Sequence, residues 1–99
     1  MIKDVLKEEL ERLQQMERVY REKIAMLPKG SIQYKRINGQ KYPYLFVRDG
    51  NKVKSKYLKL DERALSEMHF QIQQRRKYEK VLMEINKDFK IISKAIKHE

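Results

Sequence analysis

The first 27 residues carry the apolar periodicity of an amphipathic helix. Apolar side chains recur every three or four positions, at Leu6, Leu10, Leu13, Met16, Tyr20, Ile24 and Leu27. This spacing follows the 3.6-residue turn of an α-helix and places one apolar stripe along one side. Pro28 and Gly30 then stop a helix, so we predict a helix over residues 2–27.

The period changes to about two in residues 28–60, which are rich in Tyr, Ile, Val and Phe. The dipeptides Asn38-Gly39 and Asp49-Gly50 are strong hairpin signals because these residues accept positive φ. We therefore predict three antiparallel strands, at residues 31–37, 40–47 and 51–59.

Hydrogen-bonding parity in the middle strand constrains the second turn. With two-residue loops at both dipeptides, Tyr44 would have to bond to both neighbouring strands. A three-residue loop at 48–50 removes the conflict and sets Val47 opposite Asn51. One face is then expected to be apolar, with Ile32, Tyr34, Pro43, Leu45, Val47, Val53 and Tyr57. The other is expected to interleave aromatic and lysine side chains, namely Lys35, Tyr42, Tyr44, Phe46, Lys52, Lys54 and Lys56. Pro43 is unusual in a central strand because it has no N–H to donate.

Residues 61–97 contain no glycine or proline and predict further helix, with Asp61 as the N-cap. The apolar positions form a first stripe at Leu65, Met68 and Ile72. A second stripe follows at Tyr78, Leu82, Ile85, Phe89, Ile92 and Ile96. The phase slips across the polar run 73–77, which is compatible with one bent helix or two abutting helices. We expect the first stripe to cover the sheet and the second to pair with the N-terminal helix.

These elements predict an α+β fold. We expect an antiparallel, coiled-coil-like helical hairpin with a three-stranded antiparallel β-meander inserted between the helices. A chain of 99 residues is expected to form a single domain. It would comprise a helical arm (1–27), a basic β-meander (28–60) and a long or bent helical arm (61–99).

Charge is distributed unevenly along this layout. The net charge is +10, and residues 28–60 supply +8 of it, with nine Lys and Arg against the single acid Asp49. Such a surface indicates an anionic partner. The chain has no cysteine, no apolar leader and no stretch of about 20 apolar residues, so we expect a cytoplasmic protein with no membrane contact.

No constellation of residues indicates catalysis. His69 and His98 lie far apart, and no histidines or carboxylates have metal-ligand spacing. Lys29-Gly30-Ser31 resembles the end of a phosphate loop but lacks the upstream glycine. We therefore expect a non-enzyme without a cofactor, a metal or a small-molecule substrate.

The meander itself favours nucleic-acid binding, as a small regulator or accessory factor. Lys52, Lys54 and Lys56 alternate along one strand and would project to one side about 6–7 Å apart, similar to the separation of successive phosphates. Exposed aromatic side chains could stack on unpaired bases. The candidate nucleic-acid-binding residues are Lys35, Arg36, Lys41, Tyr42, Tyr44, Phe46, Lys52, Lys54 and Lys56, and DNA is favoured over RNA.

Other interpretations stay open. Lysines along a strand also prevent edge-to-edge aggregation, and the aromatic side chains could pack against the helices. An acidic protein is another possible anionic partner. The alternative function is a coiled-coil protein-interaction or dimerisation module with no nucleic-acid role, in which the arms form a homodimer.

The stretch LPKGSIQYKRINGQKYPYLFVRDGNKVKSKYLK, with the helical run through RRKYEKVL, resembles a family of small uncharacterised prokaryotic proteins. The shared layout is a helix, an LPKGS/ING/KVKSKY-type meander and a charged helix, and it implies no particular activity. The meander followed by a helix is also similar to the arm-type DNA-binding domain of tyrosine-recombinase integrases, whose sheet enters the major groove. The matching residues would be Lys35, Tyr44, Lys52 and Lys54. This chain differs in its long leading helix and in lacking a catalytic domain.

Overall fold

A computed structural model describes residues 1–98 of the chain. The elements are, in chain order, α1 (Ile2–Ala25), β1 (Ser31–Ile37), β2 (Gln40–Asp49), β3 (Lys52–Tyr57) and α2 (Glu62–Lys97). Two helices flank a three-stranded antiparallel sheet of order β1-β2-β3, which confirms the predicted α+β fold. α2 is one continuous helix of 36 residues across the polar run where the apolar phase slips.

The chain divides into two compact units. The helical unit contains α1 and the part of α2 that begins at Arg76, and the sheet unit runs from Leu27 to Arg75. The organisation of the whole chain as a single domain stays a prediction.

In the helical unit, α1 and α2 run antiparallel. The rings of Tyr20 and Tyr78 meet edge to face, with centroids 5.5 Å apart and planes at 71°. The pKa of Arg12 is raised first by its hydrogen bond to Glu9 and also by the charge of Asp88 on α2. Residues nearer the start of α1 thus lie beside residues nearer the end of α2, as the predicted antiparallel hairpin requires.

The centre of the hairpin is a small apolar core. Leu13 is 2% exposed and Ile85 is 4% exposed, and both belong to the stripes predicted to pair. The ammonium of Lys23 lies 5.3 Å from the ring centroids of both Tyr20 and Tyr78, a cation–π contact at the margin of that core. The two apolar stripes therefore meet within one chain.

Two hydrogen bonds within the sheet unit involve the segment of α2 that belongs to it. Asp61 Oδ1 accepts a hydrogen bond of 2.8 Å from the backbone N–H of Ala64, so the predicted N-cap is confirmed. Arg75 Nη1 donates to the carbonyl of Leu27 at 2.7 Å. The buried apolar residues of this unit are Leu58 and Ile72.

Both turns of the meander are two-residue turns. Asn38 and Gly39 have positive φ (54° and 82°), the pattern of a type I′ turn. The second turn is centred on Gly50 and Asn51, and only Gly50 has positive φ (62°), which is the pattern of type II′. The predicted three-residue loop is therefore wrong.

The different second turn reverses the facing of β3. Asp49 lies opposite Lys52, and Val47 lies opposite Lys54 rather than Asn51. Relative to the prediction, β3 is shifted by three residues. Alternate residues of β2 still bond to different neighbouring strands, so Tyr44 does not have to bond to both. Because three is odd, every β3 side chain points to the face opposite the predicted one. The assignment of Lys52, Lys54 and Lys56 to the aromatic face, and of Val53 and Tyr57 to the other, was wrong.

The same register explains why Pro43 is tolerated in the central strand. Its ring nitrogen faces the side of β3, but β3 ends at Tyr57. The Pro43 carbonyl accepts a hydrogen bond of 3.0 Å from the N–H of Leu58, just beyond that end. At most one bond at the margin of the ladder is lost.

Candidate functional site

Five basic side chains share one face of the sheet, and we call this set the basic face: Arg36, Lys41, Lys52, Lys54 and Lys56. Directly opposed residues in an antiparallel pair point to the same side. Arg36 is opposite Lys41, Lys54 is opposite Val47, and Lys56 is opposite Leu45. All five are exposed. The centre of this face is apolar and half-buried, so the cations lie along the β3 edge and beside the first turn.

The charges of the basic face are weakly compensated. The only acid of residues 28–60, Asp49, forms an ion pair of 2.9 Å with Lys54. Both side chains are about 70% exposed, so this pair contributes at most about 1 kcal/mol. No carboxylate of the described residues lies within ion-pair distance of Lys41, Lys52 or Lys56. The face thus retains almost all of its positive charge.

One cross-strand pair even opposes stability. Arg36 and Lys41 are direct partners, and like charges at such positions are destabilising. Lys41 lies in the central strand, but the pairing of β2 with β3 starts only at Tyr44, so β2 has no β3 partner at Lys41. Edge protection therefore applies to Lys41 as well as to the lysines of β3.

The opposite side of the sheet holds an aromatic face, defined by Tyr42, Tyr44, Phe46 and Tyr57. Tyr57 lies 5.6 Å from Tyr44 and 6.1 Å from Tyr42 between ring centroids. Tyr57 was not among the predicted site residues, because the assumed register turned it to the other face. Tyr57 could have been included only if the second turn had been placed at Gly50 and Asn51.

Lys35 belongs to the aromatic face. Its Nζ lies 4.2 Å from the centroid of Tyr44 and 5.2 Å from that of Phe46. It also donates a hydrogen bond of 3.3 Å to Ser55 Oγ. Beside these groups lies a shallow depression of about 300 Å³, lined by Ile37, Tyr42, Tyr44 and Tyr57.

The nine predicted nucleic-acid-binding residues are therefore divided between two opposite surfaces. The basic face holds Arg36, Lys41, Lys52, Lys54 and Lys56, and the aromatic side holds Lys35, Tyr42, Tyr44 and Phe46. The predicted interleaving of lysines and aromatic rings occurs only at Lys35, since the three β3 lysines lie on the opposite face.

Residues 1–98 hold no group of ligands for a metal ion and no membrane-spanning helix. No three His, Cys, Asp or Glu side chains in that range lie close enough together to hold a metal ion. Neither α1 nor α2, as far as they are described, has an 18-residue window apolar enough to cross a bilayer.

A family model described as a domain of unknown function, DUF6788, matches residues 2–67. The match spans two thirds of the chain, from α1 through the whole sheet to the first turns of α2. The chain belongs to this family. DUF6788 carries no assigned activity, but the matched segment includes all nine predicted site residues. No curated protein and no solved structure matches the chain.

Proposed function

We propose that this DUF6788 chain is a non-catalytic nucleic-acid-binding protein whose basic face contacts the phosphate backbone. The observation that supports this most strongly is the set of five exposed cations on one side of the sheet, with one solvent-exposed carboxylate among them. Cations that neutralise phosphates release condensed counterions, which provides affinity that does not depend on base sequence.

Duplex DNA is the proposed form of the partner. The aromatic face lies on the other side of the sheet, so a strand held by the basic face cannot also stack its bases on Tyr42 or Tyr44. Backbone contact without stacking suits a duplex, whose bases are already paired. The β3 lysines recur about every 6–7 Å along the edge strand and can follow a row of phosphates.

The similarity to the arm-type domain of integrases supports a sheet placed against duplex DNA, but it does not indicate which face is used. Of the four matching residues, Lys52 and Lys54 lie on the basic face, whereas Lys35 and Tyr44 lie on the aromatic side. The choice of the basic face therefore rests on the charges alone.

The test is a binding titration of the full chain with fluorescent duplex DNA, single-stranded DNA and RNA at 50 and 200 mM salt. If all five cations contact phosphates, affinity for the duplex should fall about 500-fold over this range. Failure to bind any of the three at the lower concentration, or a duplex affinity independent of salt, would refute the proposal.

A further inference from the structure

The helical unit carries a second basic surface, on the side of α2 that faces away from α1. Tyr78 and Ile85 mark the side that packs on α1. At about 100° per residue, the side of α2 that faces away from them carries five lysines, together with the exposed residues Met83 and Ile91. We call these lysines the α2 basic row: Lys80, Lys87, Lys90, Lys94 and Lys97. All five are exposed, and the row extends over about 25 Å.

Ordinary helix electrostatics account for only part of this row. Lys94 and Lys97 lie in the last turn, where cations stabilise the carboxyl end of a helix. That effect fades within a turn and does not reach Lys80, Lys87 or Lys90. Of these three, Lys87 has a carboxylate partner, Glu84 at 3.5 Å, and both side chains are more than 60% exposed. Such a pair leaves the lysine available to another anion.

The opposite side of the helical unit has the opposite balance of charge. The surface of α1 that faces away from α2 presents Asp4, Glu8, Glu11 and Glu22, together with Lys7 and Arg18, all exposed. The outward side of α2 likewise includes Glu84 beside its lysines. Both sides therefore carry both signs, but the balance is positive on α2 and negative on α1, which favours the approach of a polyanion along α2.

The row also contains a shallow depression of about 330 Å³, lined by Phe89, Lys90, Ile91, Ser93, Lys94 and Lys97. Most of its lining is apolar, and an apolar surface of this kind can lie against a sugar. Lysine ammonium groups bind phosphate oxygens, so the three lysines around the depression are suited to the phosphates on either side of such a sugar.

We propose that the α2 basic row is a second contact surface for a nucleic-acid backbone, which rests on the proposed function of the sheet. The surface lies outside residues 2–67, the segment that the family model covers. An anionic membrane is a poorer fit, because interfacial helices bury an apolar side and the apolar side of α2 packs on α1. A second copy docking its acidic α1 on this row would form a heterologous contact, which produces open chains rather than a closed dimer.

The proposal can be tested with two variants of the full chain that lose the same charge. The arm variant is K80Q/K90Q/K94Q, and the matched control is K3Q/K7Q/R18Q on α1. Far-ultraviolet circular dichroism confirms that both remain helical. Duplex affinity is then measured between 50 and 200 mM salt. For each protein we compare the ratio of its duplex affinities at 50 and 200 mM salt. We expect this ratio to be up to about 40-fold smaller in the arm variant than in wild type, and to stay within about twofold of wild type in the control.

Equal salt slopes for the arm variant and the control would overturn the proposal while leaving the sheet as the binding surface. If wild type does not bind the duplex at all, both the proposed function and this inference fail. Binding to phosphatidylserine vesicles that is lost only in the arm variant would overturn it in favour of a membrane. Concentration-dependent association without nucleic acid, lost in the arm variant, would overturn it in favour of self-docking.

Discussion

The two faces of the sheet can be separated by removing the same charge from each. The variant K52Q/K56Q removes two cations of the basic face that lie outside ion-pair distance of any carboxylate of the described residues, although Lys52 is opposite Asp49 in the ladder. Lys54 is left in place because it already pairs with Asp49. The matched variant K35Q/R48Q removes two cations from the aromatic side, where Arg48 lies opposite Val53. Both variants lose the same net charge from one sheet but from opposite sides, and K35Q also removes the contacts of Lys35 with Tyr44, Phe46 and Ser55.

The expected magnitude follows from the number of contacts. Each phosphate contact contributes about 0.9 to the slope of log affinity against log salt on duplex DNA. The ratio of duplex affinities at 50 and 200 mM salt should therefore be about 12-fold smaller when two contacts are lost. K35Q/R48Q should leave the slope of wild type unchanged, since Lys35 is held over Tyr44 on the far side of the sheet.

The measurement is fluorescence anisotropy of a labelled duplex, with thermal melting of each variant as the control for folding. If the two variants flatten the slope equally, binding follows net charge rather than one face, and the reasoning fails. If only K35Q/R48Q flattens it, nucleic acid binds the aromatic side, and the assignment of the site is reversed.

Three further predictions concern stability, each measured by chemical denaturation. Ile85→Ala should lower the free energy of unfolding by about 2–5 kcal/mol because it empties the centre of the hairpin, whereas Ile91→Ala, at a 65% exposed position, should change it by less than about 0.5 kcal/mol. Equal effects would contradict the assigned core. Asp61→Ala should cost about 1 kcal/mol through loss of the N-cap, and no loss would show that the cap is dispensable. Gly30→Ala should destabilise more than Gly39→Ala: both have positive φ, but only at Gly30 would the new methyl meet a backbone carbonyl, at 2.5 Å. Comparable losses would argue against that close approach.

The fold was largely predictable because its signals are local. The helices follow from apolar spacing, and the hairpins follow from glycine-containing dipeptides. The N-cap at Asp61 and the meeting of Leu13 with the stripe of Ile85 are direct outcomes of such patterns. The continuity of α2 was less predictable, because the polar run 73–77 interrupts the apolar phase without breaking the helix.

The composition of the site was harder to predict, since it depends on one turn. The segment Asp49-Gly50-Asn51 can form a turn in more than one alignment, and each alignment satisfies local preferences. The alignment with Gly50 and Asn51 at the centre is the one that forms, and the local residues alone do not distinguish it from the others. Lys35, Tyr42, Tyr44 and Phe46 were placed on one face correctly because the first turn, Asn38-Gly39, allows little choice. The α2 basic row was missed because counting charge over the whole arm gives only a small net value.

The second turn determines which side chains of β3 lie on each face of the sheet, and hence which partners each face can bind. Suppose one residue is inserted between Asp49 and Gly50 and the ladder positions of β2 are kept. Each residue of β3 then shifts by one position, and its side chain turns to the other face. Valine and tyrosine would then replace three ammonium groups on that side. Insertion of one codon would thus replace a cationic surface by a more apolar one, without altering any residue of the strand itself.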